Sequence, residues 1–375
     1  MSTAPPGAGH HGAGAERTRN PAPAALMARA AGALLDTLDE HERRTVRRSF
    51  PHTAARRDWT YLPGPRAGVA LGELGRSQRK AVHALVATAL RPHAYAQVAA
   101  IMSLEDVLDL IEDGRRGRHS GDYWTVVFGV PGDEPWGWRF EGHHVSLNVT
   151  VADGRVAGTP CFLGANPAVV RHGDAVVSRP LVEEEDVARA LLHALHGAAR
   201  ARAVIAEEAP ADIVTRDRPR VDGTLEPAGV PAADLSGDAA ALLRRLLGLY
   251  LDRLAEPVAA AEAERLGAAF GELHFAWAGA AETRRPHYYR IQGPDLLMST
   301  TTPSTARTTS TPCGEDRAGT SAATCSRATT PRRTTRPGDD FGGPYAARWS
   351  RSSSLKRSAA RSGIQWPSPR RISKR

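Results

Sequence analysis

The sequence predicts an α+β protein: an antiparallel sheet built from two strand blocks, with helices before and between them and a disordered C-terminal tail. Three observations carry this. Residues 144–151 alternate polar and apolar groups, which is the period of a half-buried strand. Asp153 and Gly154 follow, the strongest short hairpin signal in the chain. Stretches with apolar residues at helical spacing precede the first strand block and separate it from a second one.

Taken in order, Met1 to Pro23 has almost nothing to bury and reads as disordered. A single domain is expected over residues 24–298. Its first helix runs from about Ala24 to Arg48, ended by Phe50 and Pro51. Ser77 is expected to cap a helix carrying Val82, Leu85, Val86 and Leu90, and a broad apolar stripe predicts another over Ala94 to Glu112. Tyr123 to Val130 is the first strand, Trp136 to Val151 a long central one, and Arg155 to Leu163 returns antiparallel. Val182 to about Ala206 is expected to be helical, Pro210 to Leu235 a linker, and Asp238 to Leu254 a leucine-faced helix continued by Pro257 to Leu266. Two strands close the domain, Glu272 to Ala278 and His287 to Met298. No internal repeat is evident.

Composition narrows the function classes. The chain has 375 residues, 41% of them hydrophobic, and a formal net charge of +8. That charge is not spread evenly. Residues 299–375 hold 15 basic and 4 acidic residues, leaving the rest with 34 against 37. A nucleic-acid partner would rest wholly on the tail, and none is expected. Cys161, Cys313 and Cys325 form no disulfide framework, which points to a reducing compartment. There is no signal-peptide pattern and no apolar run near the ~18 residues of a membrane span. A soluble cytoplasmic protein is the expectation.

Candidate chemistry centres on the strand W-G-W-R-F-E-G-H-H-V-S-L-N-V-T-V. Strand alternation puts His144, Ser146 and Asn148 on one face and His143 on the other, so the two adjacent histidines serve one site only if a bulge at Gly142 re-aims one of them. On the later strands His274 shares a face with Glu272, and His287 with Tyr289. Three or more such imidazoles converging from neighbouring strands would suit one divalent transition metal, zinc, iron or copper. His143, His144, His274 and His287 are the candidate ligands. Glu141 or Glu272 could then act as general base and Arg290 could hold an anionic substrate, with Asn148, Asn166 and Tyr289 as binding groups. The plainer reading of any one of these histidines is a hydrogen-bonded core or surface residue. Trp136, Trp138, Phe275 and Trp277 read as core and pocket wall.

Several ordered motifs make the chain recognisable. R-D-W-T-Y-L-P at 57–63, F-E-G-H-H-V-S-L-N-V-T-V at 140–151, F-L-G-A-N-P-A at 162–168, E-L-H-F-A-W-A-G at 272–279 and P-H-Y-Y-R-I-Q-G-P at 286–294 together resemble the bacterial and fungal domain of unknown function 3500. The resemblance covers roughly Asp36 to Leu297 and brings no established activity. It implies a continuation close to E-Y-D-N-T-Q, then N-H-x-H-T-V-W-R, then D-F-G and H-Y-A. This chain instead turns Thr-, Ser- and Arg-rich after Met298, with no Val and a single Leu, Leu355, from Ser299 onward. Codons can be chosen for Met298 to Glu315 whose third-base frame reads E-Y-D-N-T-Q-H-G-A-N-H-V-H-T-V-W-R. The tail is therefore expected to be out of frame, as the nucleotide sequence of the locus would show. On this reading the H-x-H pair, whose imidazoles stand about 7 Å apart on one face of a strand, is replaced by Thr309 and Thr311.

Two functions follow as expectations. The first is a metal-dependent hydrolase using His144, His274 and His287 with the missing pair, impaired in this chain. The second is a non-enzymatic small-molecule binding module in which the histidines and Arg290 hydrogen-bond a ligand.

Overall fold

The computed structural model describes residues 22–51, 53–218, 226–302 and 320–326. Helices α1 (Pro23–Thr37), α2 (Glu40–Val46), α3 (Arg76–Ala89) and α4 (Pro92–Ile111) come first. Strands β1 (Tyr123–Val130), β2 (Asp133–Gly142), β3 (Val145–Ala152) and β4 (Cys161–Ala165) follow. Then come α5 (Val182–Ala194), α6 (Gly197–Ala203), α7 (Gly237–Leu251) and α8 (Glu256–Ala268), and strands β5 (His274–Gly279), β6 (His287–Gly293), β7 (Leu296–Thr302) and β8 (Thr320–Ser326). The protein is α+β, and both strand blocks lie in one sheet of order β1-β2-β3-β4-β8-β7-β6-β5. β4 and β8 run antiparallel at its centre, Ala165 opposite Thr320 and Cys161 opposite Thr324. The sheet thus continues beyond Met298, the expected end of the domain. The expected N-terminal disorder and most of the expected tail lie outside the described residues.

Local chemistry explains where helices break. The single helix expected over 24–48 is two, because the Asp39 carboxylate accepts from Glu42 N–H and the Glu42 carboxylate from Asp39 N–H, both at 2.8 Å. This capping box starts a new helix. The helix expected over 182–206 stops at Leu195, where the backbone is extended, and Val204–Ala206 is a strand. The expected linker holds the short strand Val230–Pro231 and the 3-10 turn Ala232–Asp234.

The fold is an internal repeat, contrary to the reading from residue identities. Each half runs two helices, a short strand, a longer connection (with the five-residue helix Thr53–Arg57 in the first half), a second short strand, a 3-10 turn, two helices and a strand meander. Arg47–Arg48 pairs parallel with β1 and Val69–Ala70 pairs with it antiparallel. Val204–Ala206 and Val230–Pro231 do the same with β5. The register repeats too: Val127, Trp138 and Val149 face one another across β1, β2 and β3 as Trp277, Tyr289 and Thr300 do across β5, β6 and β7. The pseudo-two-fold axis passes between β4 and β8. In the helical layer it meets the antiparallel bridge between Leu90 and Leu254.

The two faces of the sheet are chemically different. Trp136, Trp138, Phe140, Trp277, Tyr289 and Ile291 pack with the helices in the main core. Arg139, Glu141, Ser146 and Asn148 lie on the other face in the first half, and Tyr288, Arg290, Gln292 and Ser299 in the second. Loops cover this face. Trp59 and Tyr61 from the first and Ile213 from the second form a small cluster with Phe162, Tyr61 stacking on Phe162 at 4.1 Å. Among the described residues no helix is long and apolar enough to cross a membrane.

Candidate functional site

The run read as one strand from Trp136 to Val151 is two strands joined at His143 and His144. Gly142 lets the hairpin approach β1, since a Cβ there would lie 2.5 Å from the Asp122 carbonyl oxygen. His144 adopts φ +61°, a left-handed turn conformation. Strand alternation therefore fails at this point. The two imidazoles, expected on opposite faces, stack on each other with centroids 3.8 Å apart.

Glu105, Arg118 and Tyr123 hold this turn, and none of them was among the candidates. The His143 Nδ1 meets the Glu105 carboxyl and stands 3.3 Å from an Arg118 nitrogen. Arg118 also bonds Glu112 at 2.8 Å, and the Tyr123 hydroxyl donates to the His143 carbonyl at 2.9 Å. Burial, then the Arg118 charge, lowers the His143 pKa to about 3, while burial raises that of Glu105. Both shifts favour a neutral pair sharing one proton.

A pH dependence follows. Burial lowers the pKa of His83, His143, His144 and His287. Unfolded imidazoles protonate near pH ~6.5 whereas these resist, so below that pH the unfolded state binds more protons and stability falls. The raised carboxyls of Glu105 and Glu141 act oppositely, losing stability as pH rises above their unfolded values. Four imidazoles outnumber two carboxyls. The melting temperature is expected to be lower at pH 5 than at pH 7, with the difference reduced in His143→Gln; equal or greater stability at pH 5 would contradict this.

The histidines expected to converge do not. His274 pairs with Gln292 while His287 lies at the other end of the same strand pair, five residues and about 17 Å away. His287 shares a sheet end with the His143 and His144 turn, but β4, β8 and β7 intervene between β3 and β6. At about 4.8 Å per strand that is about 19 Å. Among the described residues no three His, Cys, Asp or Glu groups stand together as a metal site. Thr309 and Thr311, in the places of the lost pair, lie outside the described residues.

The other candidates are scattered. Glu272 is exposed in a 3-10 turn rather than on a strand. His274 Nδ1 donates to the Glu272 carbonyl at 3.1 Å. Asn166 is half-buried after β4, in a cis peptide with Pro167. His287 stacks on Trp277 at 5.0 Å, and its Nδ1 donates to the Arg285 carbonyl at 3.0 Å. Tyr289 points into the helical core, its hydroxyl 2.7 Å from that of Tyr250 and donating to the Glu184 carbonyl at 3.0 Å.

What the fold does gather is on the loop-covered face. Arg139, 2% exposed, has its Nε 2.9 Å from Glu141 Oε1. The Glu141 carboxylate also accepts from Ser146 Oγ at 3.1 Å and Thr60 N–H at 3.3 Å, with Arg66 Nε at 4.0 Å. Asn148 donates to Ser146 Oγ at 3.0 Å and to the Pro160 carbonyl at 2.9 Å. Burial raises the Glu141 pKa and the Arg139 charge opposes it. In the second half Arg290, 6% exposed, lies beside the Tyr288 phenol, whose pKa burial raises to about 12. Arg139, Tyr288 and Ser299 escaped the sequence reading because a polar residue alternating within a strand carries no motif, and Arg66 because it lies in the connection before Val69–Ala70.

A family model described as a protein of unknown function (DUF3500) matches residues 20–312. The chain belongs to this family. No curated protein and no solved structure matches it. The DUF3500 match runs from α1 to β7 and so takes in most of both halves, while β8 lies beyond it.

Proposed function

We propose that this DUF3500 protein is a small-molecule binding module that takes an anionic ligand on the loop-covered face of its sheet. One observation carries this reading: among the described residues three enclosed guanidiniums, Arg66, Arg139 and Arg290, share that face with one enclosed carboxylate, Glu141. A buried cation without a counter-charge is costly, and a ligand anion offsets that cost. The guanidinium fork suits carboxylate or phosphate. A cytoplasmic setting belongs to the same reading, supported by the free, buried thiol of Cys161.

Calorimetric titration of the full chain with acetate, benzoate and inorganic phosphate tests it. At least one should bind saturably and raise the melting temperature; ligand at 100 times its Kd adds about 2.7 kcal/mol of stability. No saturable binding at millimolar concentration would overturn the proposal. The metal-dependent hydrolase makes a different prediction. Elemental analysis of a chain with the H-x-H frame restored would find about one metal per chain, whereas a metal-free, folded protein favours the binding module.

A further inference from the structure

The internal repeat supplies a comparison that neither half offers alone. Arg139 and Arg290 occupy equivalent positions, each one residue beyond a matched row, opposite Asn148 and Ser299 respectively. Two residues further along, on the same face, the halves differ. The first half has Glu141 opposite Ser146, and the second has Gln292 opposite Leu297. The first guanidinium is therefore neutralised from within its own strand. Arg290 faces a neutral amide at that place and has no ion pair with any described residue. The Nε atoms of both arginines are buried without a well-aligned hydrogen-bond acceptor, so the halves differ in the ion pair that Arg139 has with Glu141 and Arg290 lacks among the described residues.

We propose that the second half binds one small monocarboxylate at Arg290, in the place that Glu141 fills with its own side chain at Arg139. This rests on the anion-binding reading above and narrows it to one half, one charge and one chemical class. The first half shows the arrangement that such a ligand would complete in the second: a carboxylate beside the guanidinium Nε with a hydroxyl donor within reach. In the second half the Tyr288 phenol and the Ser299 hydroxyl supply such donors, since both lie together beside Arg290. One negative charge balances Arg290, which has no ion pair with any described residue, and this favours a carboxylate over a phosphate dianion at that place.

The test places the missing carboxylate on the protein. Acetate, benzoate and inorganic phosphate are titrated into the full chain and into Gln292→Glu, Arg290→Gln and Arg139→Gln. The parent chain should bind one equivalent of carboxylate in preference to phosphate. Gln292→Glu should melt higher than the parent without ligand and bind carboxylate at least tenfold more weakly, because the introduced side-chain carboxylate would act as the built-in ligand. Arg290→Gln should lose carboxylate binding and serves if Gln292→Glu does not fold. Undiminished binding in either variant overturns the proposal. Binding lost only in Arg139→Gln would move the ligand to the first half, overturning this inference and leaving the broader reading in place. Preference for phosphate at Arg290 would overturn the carboxylate class, and no anion binding at all would overturn both.

Discussion

Gly68→Ala and Gly229→Ala are each expected to leave little folded protein. A Cβ at Gly68 would lie 2.0 Å from the Thr125 carbonyl oxygen, and one at Gly229 would lie 2.1 Å from that of Phe275. Both obstacles are strand backbone, so neither can swing aside. The glycines have φ of +104° and +103°, a region where side chains are strained by about 1–3 kcal/mol before any clash. Together these place the loss on the order of 4 kcal/mol or more. Gly154→Ala is the control: it also has positive φ, +70°, but no atom lies within 4 Å of the added carbon. Its cost should be about 1 kcal/mol. Urea unfolding and soluble yield compare the three. If Gly68→Ala and Gly229→Ala were no less stable than Gly154→Ala, the close approach of each short strand to its sheet would not be required for folding.

Those glycines also show why the repeat was hidden. Duplication is preserved here in backbone demands and register, while the side chains on equivalent positions have diverged: Trp138 with Tyr289, Val149 with Thr300, Glu141 with Gln292. A reading of residue identities has little to match. The same cause produced the same error twice. Residues 136–151 and 287–298 each read as one strand, yet each folds back at a two-residue turn, His143 and His144 in the first half, Pro294 and Asp295 in the second. Strand-favouring residues run up to both turns, and the local signal is the glycine just before each, Gly142 and Gly293. At Gly293 a Cβ would meet the Leu273 side chain at 2.7 Å.

Periodicity did find the helices, the strand blocks and the α+β class, because burial on one face is a local constraint. It could not find which strands are neighbours. β8 lies between β4 and β7 although β4 and β8 are far apart in the chain. That insertion widens the gap between His144 and His287. It also fixes the equivalence of Arg139 and Arg290, which is defined by register and not by any motif.

Arg253→Met should cost about 3–5 kcal/mol, the range for leaving one member of a buried ion pair without its partner. The Arg253 guanidinium, 1% exposed, donates to Glu184 Oε1 at 2.7 Å. The same oxygen accepts from Gln97 at 3.1 Å, and the Glu184 backbone carbonyl accepts from Tyr289. Gln97 belongs to α4 of the first half, while Glu184 and Arg253 belong to the second, so this carboxylate joins the halves near their axis. The backbone repeats the junction: Arg91 N–H donates to the Arg253 carbonyl at 3.1 Å and Ala255 N–H to that of Ala89 at 2.8 Å. Methionine keeps much of the aliphatic volume over the Tyr250 ring, which the guanidinium covers at 4.7 Å, so the change reports mainly on charge. Adding Glu184→Gln should recover part of the loss by removing the stranded carboxylate, while Gln97 keeps an acceptor. Urea midpoints at unchanged slope measure both steps. A loss below about 1 kcal/mol in Arg253→Met, or no recovery in the double variant, would mean that the pair does not hold the two halves together.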